Sequence, residues 1–186
     1  MANVIPSEMD RAHLAIIRAN VTAFLRRCGE RLDAAGKLIL DIAPQDYTGA
    51  REHFPRSVVK TLDINPSSGA DYIADLCENN ATLIPDQSFD LVVCTEVLEH
   101  TLQPFRAVAE IQRMLRPGGL LLLSAPFNFR IHGPLPDCWR FTVHGIRSLL
   151  GSLFTDIQVE EVETPDRPLM PIHYTAIAQK PVGPRA

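Results

Sequence analysis

The feature that most constrains this chain is the unbroken run from Phe89 to Phe127, FDLVVCTEVLEHTLQPFRAVAEIQRMLRPGGLLLLSAPF, which spells strand, loop, helix, turn and strand. Phe89 to Cys94 is short, apolar and β-branched, and Leu120 to Ser124 is apolar almost throughout, as buried parallel strands are. Between them, Pro104 to Arg116 reads as a helix with Phe105, Val108, Ile111 and Leu115 on one face. A helix joining two buried strands is a crossover unit, and the run is therefore half of a parallel α/β sheet. Thr95, Glu96, Glu99 and His100 follow the first of these strands. In open α/β sheets ligands bind at that carboxyl edge.

The rest of the chain extends the pattern. Lys37 to Ile42 and Val58 to Ile64 read as buried strands, Tyr72 to Ala74 as a short third, and Phe154 to Glu161 and Tyr174 to Gln179 as a closing antiparallel hairpin. From Ser7 to about Arg31, Leu14, Ile17, Val21, Leu25 and Cys28 recur at helical spacing behind a Ser7/Asp10 capping pair. That helix is expected to cover one flank of the sheet, or else to serve as a lid or homodimer contact. A further helix is expected from about Thr142 to Leu150. The expected fold is α/β, a doubly wound and mostly parallel seven-stranded sheet with an antiparallel C-terminal hairpin. One domain accounts for all 186 residues: an N-terminal helix over 1–32, a core over 37–180 and a Pro/Gly-rich tail over 181–186.

Composition narrows the partners. A net charge of -4 gives no broad attraction for phosphate backbones or anionic lipid, so nucleic acid is not expected. No window approaches the roughly 18 apolar residues of a membrane span, no leader pattern opens the sequence, and a cytoplasmic location is expected. The four cysteines are widely spaced without a CxxC pair and read as reduced thiols; no metal site is expected.

CTEVLEH, LRPGGLLLLSAP and DCWRFT together resemble the second half of class I S-adenosylmethionine-dependent methyltransferases of the small-molecule, type 11-like kind. The resemblance covers roughly Lys37 to Leu150. It implies S-adenosyl-L-methionine as cofactor and methyl transfer to a small-molecule acceptor. Asp63 stands 22 positions after Asp41, close to the spacing that puts an acid on a ribose in related sheets. By resemblance Asp63 takes the ribose diol and Ile64 packs on adenine, while Asp75 and Leu76 flank the adenine amino edge. Thr95 and Glu96 would lie against the methionine portion or the acceptor.

The first loop departs from the family pattern. After Asp41 the family has a glycine-rich turn; here Ala43, Gln45 and Tyr47 stand in the glycine positions and Pro44 fixes φ and removes a donor. Either the turn is rebuilt, with Gln45 supplying amide groups to the amino-acid end of the cofactor and Asp41 and Ala43 also in the cofactor site, or cofactor binding is weakened or lost. That leaves a degenerate interaction or regulatory module as a second reading. A nucleotide-dependent oxidoreductase is a third, disfavoured because no GxGxxG follows any strand.

Methyl transfer from a sulfonium is an in-line displacement that needs alignment, plus a base when the acceptor is a hydroxyl. His100, with Glu96 beside it, is the first catalytic candidate, since imidazole titrates near neutrality. The long loop Ser124 to Thr142 brings Phe127, His132, Trp139 and Arg140 to the same edge as expected acceptor-side residues. Pro117, Gly118 and Gly119 read as the turn that ends a helix.

Overall fold

The computed structural model describes residues 5–44 and 49–183. Seven strands form one sheet: β1 (Leu38–Ile42), β2 (Val58–Asp63), β3 (Tyr72–Ile73), β4 (Phe89–Thr95), β5 (Leu115–Pro126), β6 (Thr155–Val162) and β7 (His173–Gln179). Their order across the sheet is β3-β2-β1-β4-β5-β7-β6. The first five run parallel; β7 lies antiparallel between β5 and β6, so the C-terminal hairpin is present with its second strand inside the sheet.

Helices cover both faces. α1 (Glu8–Leu32) starts on a complete capping box, in which the Ser7 hydroxyl accepts from the Asp10 amide and the Asp10 carboxylate accepts from the Ser7 amide. Val21, Phe24, Leu25 and Cys28 of α1 pack on Ile39, Leu91, Val93 and Leu122. Gly29 is required there: a Cβ would fall 2.0 Å from the His53 carbonyl oxygen, so the helix can rest on that backbone only through a glycine. On the opposite face α2 (Pro104–Met114) and α3 (Val143–Gly151) bury Val108, Ile111, Met114, Ile146 and Leu149 against Leu40, Val92, Leu121 and Leu123. Strand and helix alternate only in the second half. β1, β2, β3 and β4 are joined by loops with one 3-10 helix, Gly49–Glu52, and no α-helix among the described residues.

Two local expectations are corrected. Phe105 is 64% exposed; the buried face of α2 is Pro104, Ala107, Val108, Ile111 and Met114. The helix also stops at Met114, and Leu115 to Gly119 form the leading arm of β5 instead of a turn. Leu115 pairs with Phe89, the register slips between Phe89 and Leu91, and the slip admits Pro117 and both glycines. Lys180 closes this corner, its buried Nζ donating to the carbonyls of Gln112 and Leu115 at 2.7 Å each.

Candidate active site

Parallel register delivers one acidic or hydroxyl residue after another to a single edge. Asp41 lies level with Thr61 and Val93, Asp63 with Ile73, and Thr95 with Ser124, so the carboxyl ends of β1, β2, β4 and β5 open on the same side.

On the β1 side, Asp41 is buried and its Oδ2 accepts from the Ala50 amide at 2.7 Å. Burial pushes its carboxyl up to about 6, against the opposing pull of that amide and of Arg51. Ala43 holds φ +51, a left-handed conformation that glycine ordinarily supplies, and its amide donates to the Leu62 carbonyl at 2.7 Å. Gly49 has φ +55, and a Cβ on it would lie 2.3 Å from Asp41 Oδ2. A left-handed alanine and a glycine pressed against Asp41 thus stand at the two ends of the segment after β1. Gln45 lies outside the described residues.

Asp63 ends β2 half-buried, with Oδ1 accepting from the Asn65 amide at 2.8 Å, and Ile64 beside it is 66% exposed. Asp75 is exposed and turns its Oδ1 to the Cys77 amide; Leu76 is buried in the core beneath it. Two acids and an exposed apolar side chain thus rim this half of the edge.

The β4–β5 side is built differently. Thr95 is buried, and Glu96 directly after it holds φ +55. Its Oε1 accepts from Ser124 Oγ and from His173 Nε2, each at 2.7 Å. His173 is fully buried, and Asn20 of α1 donates an amide hydrogen to its Nδ1 at 2.9 Å, which places the ring hydrogen on Nε2, toward Glu96. Sequence reasoning missed Asn20, Ser124 and His173: no motif joins residues so far apart in the chain.

Three residues on, the short 3-10 helix Leu98–His100 carries Glu99 and His100. Glu99 is fully buried, and neither carboxyl oxygen has a hydrogen-bond partner. Burial, reinforced by the Glu96 charge, raises its pKa well above the usual carboxylate range. His100 Nδ1 donates to the Pro136 carbonyl at 3.0 Å, and its ring meets His132 edge to face at 4.9 Å.

The loop after β5 is held from three sides. Asp137 takes Arg140 Nη1 at 2.6 Å and Nη2 at 2.7 Å and the His132 amide at 2.9 Å; although burial opposes it, these donors hold its carboxyl down to about 2. Arg140 also donates to the carbonyls of Phe129, Arg130 and Trp139, so its guanidinium shapes the loop. Trp139 is 41% exposed, stacks on Phe141 and donates from Nε1 to the Thr101 carbonyl, and Phe127 meets Tyr174 edge to face. From α1, His13 Nδ1 lies 2.8 Å from the Asn128 carbonyl and Asp10 pairs with Arg130 at 3.6 Å.

The structure thus gathers Glu96, Glu99, His100 and His132 beyond β4 and β5, and strings Asp41, Asp63 and Asp75 along β1 to β3. Two clefts of about 250 and 270 Å³ open elsewhere, one at the amino end of β4 by Asp90 and Arg116, the other between α1 and β6. Arg116 and the Leu38 amide already occupy Asp90, so the first cleft has no carboxylate to offer a ligand.

Comparison with known proteins agrees with this geometry. A family model described as a methyltransferase domain matches residues 35–123. A ubiquinone biosynthesis O-methyltransferase of Saccharophagus degradans is 34% identical over 70 residues, covering 38% of this chain and 29% of that protein. The chain spans less than half the length of the curated relatives it matches. Among solved structures, an S-adenosylmethionine-dependent methyltransferase from Archaeoglobus fulgidus superposes with a TM-score of 0.67 at 15% identity, over 88% of this chain and 94% of that one. A Burkholderia thailandensis 1,6-didemethyltoxoflavin-N1-methyltransferase, crystallised with S-adenosylhomocysteine, superposes with a TM-score of 0.60 at 18% identity, over 96% and 93%. The chain thus has the fold of S-adenosylmethionine-dependent methyltransferases and, over residues 35–123, is similar in sequence to a methyltransferase domain.

Proposed function

We propose that this chain transfers a methyl group from S-adenosylmethionine to a hydroxyl of a small molecule. The observation that carries the reading is the division of one sheet edge into a row of carboxylates after β1, β2 and β3 and a glutamate–histidine pocket after β4 and β5. The carboxylates suit the cofactor. Asp41 can pair with its amino group, Asp63 can accept from the ribose diol, and Asp75 can accept from the adenine amino group, with Ile64 and Leu76 as apolar neighbours. The left-handed Ala43 and the close approach of Gly49 to Asp41 support the reading, since close backbone approach is what the usual glycines achieve.

When bound, the cofactor supplies an electrophilic methyl on sulfur, displaced in line. The chain's own task is to present the acceptor. Glu96 is fixed by Ser124 and His173 and, with Thr95, marks the junction between cofactor and acceptor. His100 offers Nε2, since Nδ1 is engaged by Pro136, and takes the hydroxyl proton there. Phe127, His132, Trp139 and the loop held by Arg140 wall the acceptor side. A hydroxyl acceptor fits a site that brings a base, and oxygen is the methylated atom in the name of the Saccharophagus relative. The net charge of -4 favours a metabolite over nucleic acid, no helix among the described residues is long and apolar enough to cross a membrane, and the four unpaired thiols fit the cytoplasm.

Calorimetric titration with S-adenosylmethionine and S-adenosylhomocysteine is the direct test. Micromolar binding supports the reading. No heat and no thermal shift at millimolar ligand would return the chain to the interaction-module reading, and a shift with NADH alone to the oxidoreductase one.

A further inference from the structure

We infer that Glu99, His100 and His132 bind a divalent cation of borderline character, the Zn²⁺ class, at the acceptor end of the site. One ligand atom from each residue lies within 4.8 Å of the other two. The strongest pointer is Glu99, a fully buried carboxyl whose two oxygens have no donor. Folded proteins rarely keep such a group without giving it a partner, so it calls for a ligand that brings positive charge. Arg140, the guanidinium of this loop, is committed to Asp137 and three carbonyls.

The histidines are oriented as metal ligands are. His100 Nδ1 lies 3.0 Å from the Pro136 carbonyl; His132 Nδ1 lies 3.3 Å from the Arg130 carbonyl and 3.1 Å from Asp137 Oδ2. Carbonyls and carboxylates only accept, so each Nδ1 carries the hydrogen and each Nε2 keeps its lone pair. Donation from the outer ring nitrogen to a carbonyl or carboxylate is the usual support of a ligating imidazole. His100 Nε2 stands 3.8 Å from Glu99 Oε1, too far for a good hydrogen bond and close to the roughly 3.3 Å between ligand atoms of a tetrahedral zinc site. Two imidazoles and one carboxylate suit a borderline divalent ion better than Mg²⁺ or Ca²⁺, which prefer oxygen shells.

Three protein ligands leave a fourth position. Resting on the proposed function for where the acceptor lies, that position takes its hydroxyl oxygen. The O–H bond breaks with its electron pair left on oxygen and its proton released to water, and His100 then serves as ligand instead of free base. The oxygen next bonds the methyl carbon as the carbon–sulfur bond breaks and its pair returns to sulfur.

Titration of ZnCl₂ into chelator-treated full-length protein, with S-adenosylhomocysteine titrated separately, tests the inference. One Zn²⁺ per chain is expected, with affinity at least about tenfold weaker in Glu99→Gln and in His132→Ala. Binding should be unchanged in Cys138→Ser, which removes the exposed thiol of the same loop. Absence of zinc binding, or equal binding in all the variants, would overturn the cation site whatever the cofactor does. Zinc bound without any S-adenosylhomocysteine heat would keep the site and remove the methyl-donor reading.

Discussion

The two halves of the sheet edge solve the same problem in opposite ways. Along β1, β2 and β3 the acids close strands or stand just after them; Asp41 accepts from the Ala50 amide, and Asp63 and Asp75 accept from the amide two residues on, as in Asx turns. After β4 and β5 several polar groups are held by partners distant in sequence, Glu96 by Ser124 and His173, His173 by Asn20 and His100 by Pro136, while Asp137 is gripped within its own loop by Arg140 and His132. The lesson is one of rigidity. A cofactor with many polar handles can be held by a row of independent acceptors, whereas a reacting atom needs a geometry fixed to a fraction of an ångström.

The contrast can be broken most easily at His100. His100→Ala should lower turnover on the order of 10²- to 10⁴-fold while S-adenosylhomocysteine affinity stays unchanged, measured by steady-state assay and calorimetry on the same protein. Loss of cofactor affinity in that variant would erase the division between the halves.

Asp41 gives the next largest effect. Its carboxyl is raised to about 6 from an unfolded value near 3.8, so its stabilising contribution is fully present below the unfolded value and is lost as pH rises through about 6. The burial penalty at neutral pH is on the order of 3 kcal/mol. Asp41→Asn should therefore raise stability at pH 7 and flatten its dependence between about pH 4 and pH 6, read by urea unfolding at each pH. In the wild type, cofactor affinity should fall as pH drops below about 6, because the protonated acid no longer attracts an ammonium.

Asp63→Ala should weaken S-adenosylhomocysteine by about 1 to 3 kcal/mol with the melting temperature of the free protein unchanged, as expected of an independent acceptor. An unchanged affinity would remove Asp63 from the ribose role. The smallest effect belongs to the acceptor loop: Trp139→Phe keeps the stacking surface for Phe141 and loses only the bond to the Thr101 carbonyl, about 1 kcal/mol of stability by thermal unfolding.

Much of this could be read from the sequence because local chemistry and tertiary packing agree. Ser7 and Asp10 announce α1 and do cap it, and the apolar runs at Leu38, Phe89 and Leu120 are strands. Where the reading fails, a distant partner decides. Pro117, Gly118 and Gly119 look like the end of a helix, yet pairing of Leu115 with Phe89 draws them into β5. Phe105 fits the helical stripe by hydrophobicity but sits one position off the face that the sheet covers. His173 and Asn20 carry no local signal, since their roles exist only once α1 crosses β7.

That crossing sets a practical boundary. The stretch matched by the methyltransferase family model begins at residue 35, but Asp10, His13 and Asn20 precede it and reach Arg130, Asn128 and His173. The leading helix thus braces the loop after β5 and β7, and, on the proposed function, a fragment cut at the start of the first strand would keep the carboxylates assigned to the cofactor while losing the support of the acceptor side. On the same reading, exchanging this helix between relatives should retune acceptor choice without touching the methyl-donor half.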